Sequence, residues 1–355
     1  MPHSESAHVH VKMRLNHQTD TLTTGAVAWL MLGMLSLIAA CSASTEVERT
    51  VRVGFYAFFE PVSAAADPDP DAAAFSTHVG YEADLLTAME SMEGLGLRFH
   101  RTPVAEWPGI WLLPSRDGFD MVGGGITILD SRRLDADGNA VVTFSEPHIE
   151  FRQSLLVRSD DADRLPDHDA LLSTDVVGAL PATTGEARLL QLLGTADAQG
   201  RLAAGTQVHT PTGAVTVPSD GALSISAAQA SPELEHRTRL VPADPTRPTI
   251  VYLGEESGEA ALLAALRDGR IDAIARGTIG NTQAAVDSDG RLAVTALDEH
   301  VELGGFAVGV DDTELLDKLN SAVAWLTDAG RIGIREWLAD SEIFNERARS
   351  WQPSR

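Results

Sequence analysis

Short runs of alternating or continuous apolar residues take turns with longer stretches whose apolar positions recur at helical spacing, and glycines or prolines stand between them. "VRVGFYAFFEPV" (51–62) opens as a β-branched strand and runs into an aromatic-rich turn. In "GYEADLLTAMESM", Leu85, Leu86, Met89 and Met92 share one helical face. "LGLRFHRTPV" predicts the next strand, "EWPGIWLLPSRDG" a helix-like segment, and "FDMVGGGI" a strand ending in three glycines. Beyond the extended "HIEFRQSLLVRSDD" the order repeats. "DVVGALPATTGEARLLQLLG" predicts a strand, a Thr-Thr-Gly turn and a helix opening at Glu186, and "TIVYLGEESGEAALLAALRDGRIDAIARGTIGN" predicts strand, helix and strand. The last part is a strand and two helices. The first of these follows Asp311 and Asp312 and buries Leu315, Leu316, Leu319, Val323 and Leu326. Strands alternating with helices imply an α/β fold with a mostly parallel sheet, whose sites lie at the C-terminal ends of the strands. From about 195 to 248 the rhythm breaks: "TPTGAVTVPSDGALSISAAQASP" alternates valine and isoleucine with Gly and Pro turns, the pattern of an inserted hairpin or decoration.

The N-terminus belongs to a different class. "GAVAWLMLGMLSLIAA" (25–40) is uncharged, follows Lys12 and Arg14, and closes on small residues. That is the layout of a secretory signal, and it is short for a membrane span. Cys41, the sole cysteine, stands directly after it. "LIAAC" resembles the lipobox of bacterial lipoproteins, which implies acylation of Cys41 and a tether over 41–50. Removing 1–40 leaves about 315 residues, enough for one large or two medium domains. The chain carries 27 Lys and Arg against 51 Asp and Glu, a net charge of −24. Nucleic acid and anionic headgroups are therefore poor partners, and any carboxylate site has to be made locally. The acidic "DPDPDAAAFSTH" reads as a solvated loop, and no metal or cofactor is expected.

The candidate chemistry sits in "DMVGGGITILDSRR" (120–133), where three glycines precede Thr127 and Arg132. Such a stretch serves either as a surface turn with a solvated arginine or as a small carboxylate site. In the second case backbone, hydroxyl and a five-donor guanidinium converge on the anion. An echo strengthens the pattern. "DGFDMVGGGITI" and "DGRIDAIARGTI" share a helix end, an apolar strand and a glycine-marked turn, as two equivalent lobes facing a cleft would.

Taken in order, "VRVGFYAFFEPV", "GYEADLL", "DMVGGGITILDSRR", "VGALPATTGEA", "LRDGRIDAIARG" and "FAVGVDDTELLDKLNSAV" resemble the extracellular solute-binding proteins of family 3, which serve polar amino-acid ABC importers. The resemblance covers about 51–337 apart from the insertion. It implies the two-lobed periplasmic-binding-protein type II fold, with a hinge of two crossovers and a ligand cleft between the lobes. Lobe one would comprise 50–151 plus 300–355, and lobe two 152–299 with the insertion at about 195–248. Arg132 would grip a carboxylate, with Thr127 supplying a hydroxyl and Gly125 a backbone contact. Thr184 and the Gly185 amide would contribute from the second lobe, and Phe59 or Trp107 would cover the ligand. On this footing removal of Arg132 abolishes binding without unfolding. The implied partners are a small carboxylate-bearing ligand, an ABC permease in the inner membrane and a lipid anchor. The protein would be a monomer of the periplasm or cell envelope.

One departure from the family pattern concerns the acid expected after "GRIDA". That position is Gly277, preceded by Arg276. A buried ammonium without an anionic partner is costly, so a ligand with a carboxylate but no conventionally bound α-ammonium is expected, with Arg276 available for a second anion. Glu255 or Glu256 would be the replacements for the missing acid. Two other functions fit the same fold. A cyclohexadienyl dehydratase-like enzyme would need an acid or base aimed into the cleft, from Glu60, Glu255 or Glu256. A ligand-sensing module would act through a partner protein.

Overall fold

The computed structural model describes residues 48–253 and 259–352. The signal segment, Cys41, Glu255 and Glu256 lie outside the described residues. Two sheets organise the rest. In the first, the Arg49–Tyr56 strand lies between Leu97–Val104 and Met121–Gly123, parallel to both. Ala307–Gly309 then pairs antiparallel with Met121–Gly123 and with Val142–Phe144. Strand residues Val51, Val53 and Met121 are fully buried against the Tyr81–Ser91 helix, which presents Leu85, Leu86 and Met89 as its periodicity requires. The Thr313–Leu326 helix joins the same core through Leu315, Leu319, Val323 and Leu326, and the Asp312 carboxylate caps its N-terminus by accepting from Leu315 N–H.

The second sheet is built around Val176–Ala179, which runs parallel to Thr249–Tyr252 and Ala273–Gly277; Gln153–Arg158 and Leu292–Thr295 extend it antiparallel. The segment read as an insertion continues this sheet on the opposite edge. Its Gln207–Thr210 and Gly213–Thr216 strands form a hairpin, and Arg239–Val241 pairs the hairpin to Thr249–Tyr252. The chain passes between the two sheets twice, along Ile149–Phe151 and Glu302–Gly304, and these crossovers pair antiparallel with each other. "EWPGIWLLPSRDG" is helix-like only as a 3-10 turn over Ile110–Ser115, because Pro114 removes a donor there. Among the described residues, no helix is long and apolar enough to cross a membrane.

Candidate functional site

Both strands of the sequence echo end at one cavity between the two sheets. The Met121–Gly123 strand delivers Gly125 and Thr127, and the Ala273–Gly277 strand delivers Arg276 and Gly277. The cavity holds about 570 Å³, including the part open to solvent. Phe59 and Trp107 lie on its wall together with Tyr56 and Phe151. Trp107 meets Tyr56 edge-on at 5.0 Å between ring centroids, and Phe59 stacks on Phe151 at 6.2 Å. Thr184 and Gly185 reach the cavity as the first residues of the Thr184–Leu192 helix, whose N-cap is Thr183. A side chain at Gly185 would strike the backbone of Ala275 and Arg276, so the glycine lets this helix approach the neighbouring strand.

The glycine turn has a different explanation from the one its sequence suggested. The buried Glu82 carboxylate accepts from Gly124 N–H at 2.6 Å (Oε2) and from Gly125 N–H at 2.9 Å (Oε1), and His148 Nε2 stands 3.0 Å from Oε1. Those amides face the protein's own carboxylate. Gly124 and Gly125 take φ of +136° and +67°, and a Cβ on either would collide with Tyr56 or Phe59. Gly125 therefore contributes to the cavity by making room for the Phe59 ring.

Arg132 is fully buried and is not on the cavity wall. Its guanidinium donates to Thr127 O (3.2 Å), to Ala182 O (3.1 Å) and twice to Ala227 O (3.2 and 2.9 Å), and it lies over the Trp111 ring at 4.3 Å. Trp107 Nε1 donates to the same Ala182 carbonyl. Burial lowers the Arg132 pKa to about 9, with Glu302 acting against that shift, and the group stays cationic at neutral pH. The sequence suggested a guanidinium free to bind a ligand; in the structure its bonds go to the protein's own carbonyls.

Arg276 is the only cationic side chain on the cavity wall among the described residues. Its Nε donates to Asn281 Oδ1 at 2.8 Å, Nη2 donates to Gly280 O at 2.6 Å, and it forms an ion pair with Glu259, which also lines the cavity. Burial lowers this guanidinium to about 9 as well. Glu259, just ahead of the Ala260–Arg267 helix, puts an acid on the same cavity wall as Gly277; in sequence it passes for an ordinary acidic helix start. Gln153 was also overlooked. It lines the cavity; its Nε2 donates to Thr184 Oγ1 and to Glu302 Oε2, both at 3.0 Å, and its Oε1 is buried without a protein partner. A glutamine opening a strand whose next four residues are buried was its signal.

The Glu60 side chain is exposed and off the cavity wall. The described residues contain no cluster of three His, Cys, Asp or Glu suited to a metal ion.

No curated protein matches the chain. Solved structures do match, at identities that establish the fold. An ancestral arginine-binding protein bound to arginine has a TM-score of 0.53 at 18% identity, covering 86% of this chain and 100% of that one. An ABC uptake transporter substrate binding protein from Streptococcus pneumoniae with bound histidine has a TM-score of 0.52 at 15% identity, covering 85% and 92%. An ancestral amino acid-binding protein described as a precursor of cyclohexadienyl dehydratase has a TM-score of 0.51 at 21% identity, covering 85% and 95%. The family model of bacterial extracellular solute-binding proteins, family 3, matches residues 51–336, and with two lobes, paired crossovers and an interlobe cavity this chain belongs to that family.

Proposed function

We propose that this protein is the substrate-binding component of an ABC importer, which encloses a small carboxylate-bearing solute in the interlobe cavity and delivers it to a permease in the inner membrane. The observation that carries the reading is the pairing of Arg276 with Glu259 on a cavity wall that also carries Tyr56, Phe59, Trp107 and Phe151. A guanidinium receives a carboxylate, and the Glu259 carboxylate receives an amine or ammonium, so amino acids and related zwitterions fit best. Phe59 and Trp107 would sandwich the ligand's apolar part, and Thr127, Thr184 and the Gly185 amide would add hydrogen bonds. Arg132 would support the site from behind. The relatives bound to arginine and to histidine agree with this class.

The function is binding without catalysis. On the described part of the wall the one acid is Glu259, and a carboxylate engaged in an ion pair suits holding charge better than moving protons. Turnover of prephenate or arogenate would establish the enzymatic reading instead. Acylation at Cys41 would anchor the monomer to the cell envelope, and Cys41→Ser should then abolish incorporation of labelled fatty acid. The direct test is thermal unfolding and calorimetry of the protein against amino acids, dicarboxylates and α-keto acids. A ligand at 100 times its Kd stabilises by about 2.7 kcal/mol. Absence of any shift or heat across the panel would overturn the reading.

A further inference from the structure

The three carbonyls around Arg132 are supplied by parts of the chain far apart in sequence. Thr127 belongs to the first lobe's glycine turn, Ala182 to the turn before the Thr184–Leu192 helix, and Ala227 to the inserted segment. The inserted segment controls two of them. Ala227 sits in the tight turn Ser226–Gln229, where the Ser226 hydroxyl accepts from Ala228 N–H and Gln229 N–H and donates to Gln229 O. Ile225 and Ala230 bridge its base. Ala182 is held at φ +57°, a left-handed conformation unusual for alanine, while its amide donates to Glu186 Oε2 at 2.9 Å. Glu186 in turn is gripped bidentately by the buried Arg237 at 2.7 and 2.5 Å, and Arg237 is itself part of the inserted segment. A buried guanidinium is thus met by carbonyl dipoles from a braced scaffold, two of its bonds going to the single oxygen of Ala227.

Building on the carboxylate-binding reading, we propose that the Ser226–Gln229 turn is a specificity element. Its Ala227 carbonyl occupies the position on Arg132 that a ligand carboxylate oxygen would take, and the ligand's anionic group is received by Arg276 instead. A backbone carbonyl is a neutral acceptor with fixed direction, so it satisfies the donors without bringing a charge that a ligand must displace. Arg276 has its Nε and Nη2 held by Asn281 and Gly280, and its remaining ion-pair partner, Glu259, starts a helix at the cavity edge. A ligand that brings its own anion to Arg276 and a donor to Glu259 exchanges one ion pair for two.

The test is an acetate titration of the full chain carrying isotope-labelled arginine, read at the guanidinium Nε–H signals. Arg132→Lys and Arg276→Lys assign the two signals. In the parent chain acetate should shift Arg276 and leave Arg132 unmoved and slow to exchange with solvent. Deleting Ala227 and Ala228 should make Arg132 respond to acetate and exchange at least about tenfold faster. Ser226→Ala, which removes only the hydroxyl, should do the same in part and covers the case that the deletion fails to fold. An Arg132 signal that follows acetate in the parent, or stays silent in both folded variants, overturns the proposal. A silent Arg276 overturns the transfer of the anion to that residue. Acetate requires no knowledge of the natural solute, so a failed ligand panel with the acetate pattern intact would sink the importer reading alone.

Discussion

Arg132 and Arg276 face the same electrostatic problem in two regions of one cleft. Both are buried, and burial lowers both to about 9, so both carry a charge at neutral pH. The first lobe's guanidinium is met by its own Thr127 carbonyl and two indole rings and by the Ala182 and Ala227 carbonyls of the second, and it lies off the cavity wall. The second lobe meets its guanidinium with one carboxylate, one amide and one carbonyl, and leaves it on the cavity wall. A cation satisfied by fixed dipoles works as a structural clamp, whereas a cation satisfied by a carboxylate at the cavity edge has a partner that a ligand can replace.

The largest expected effect separates the two as structure against site. Arg132→Ala removes four hydrogen bonds at once, orphans the Ala182 and Ala227 carbonyls in part and opens a void between Trp107 and Trp111. It should cost about 3–4 kcal/mol in denaturant unfolding. A loss no larger than that of an exposed arginine would break the comparison.

Half-buried His78 offers a third base, one that escapes the problem by giving up its charge. Its ring stacks on Phe55 at 4.1 Å, Nε2 lies 2.9 Å from Ser63 Oγ, and Nδ1 is buried without a partner. Burial, aided by Arg101, pushes its pKa down to about 3. The folded form thus protonates at lower pH than the unfolded chain. This contribution is intact above the ordinary histidine value and is lost as pH falls from about 6.5 toward 3, by at most about 1.4 kcal/mol per unit. Denaturant unfolding of the parent and of His78→Gln at a series of pH values measures it, and the variant should show the shallower acid slope.

At the second arginine the effect moves from stability to binding. Arg276→Gln keeps a polar side chain beside Asn281 but removes the charge on the cavity wall, so affinity for a carboxylate-bearing ligand should fall about 10–100-fold. Unfolding free energy should change by less than about 1 kcal/mol, because partly exposed Glu259 returns to water. Calorimetry and denaturant unfolding on the same preparation give both numbers. Loss of stability with unchanged affinity would assign Arg276 to the clamp class.

The fold was legible because it rests on local signals in a fixed order. The Leu85, Leu86, Met89 stripe, the Asp312 cap and the two glycine-marked strand exits each act over a few residues. The same signals place Thr127, Gly185 and Arg276 on the cavity, since each follows directly from the element that carries it. What stayed hidden depends on partners distant in sequence. "GGG" reads as backbone offered to a ligand until Glu82, more than forty residues upstream, takes the amides. Arg132 reads as a free fork until Ala182 and Ala227, 50 and 95 residues away, occupy it. Glu259 and Gln153 carry no motif, and their roles come from the closing of the second sheet against the crossovers.

The smallest expected effect decides what the second lobe's arginine is for. Gly277 leaves the strand without an acid, which pointed to a ligand lacking an α-ammonium; Glu259 puts a carboxylate on the same cavity wall. Glu259→Gln keeps size and hydrogen bonding and deletes the negative charge. With Arg276 no longer neutralised, a ligand carrying only an anion gains, and a zwitterion loses the partner of its ammonium. Each change should be about tenfold, near 1.4 kcal/mol, and they run in opposite directions. Competition between an amino acid and its matched α-keto acid, on the parent and on the variant, measures the product of the two, about a hundredfold swing in preference. If both ligands change together, Glu259 serves only to hold Arg276 in place. If the keto acid is preferred already in the parent, the ammonium has no partner in the cleft, and the contrast between the two arginines rests on burial alone.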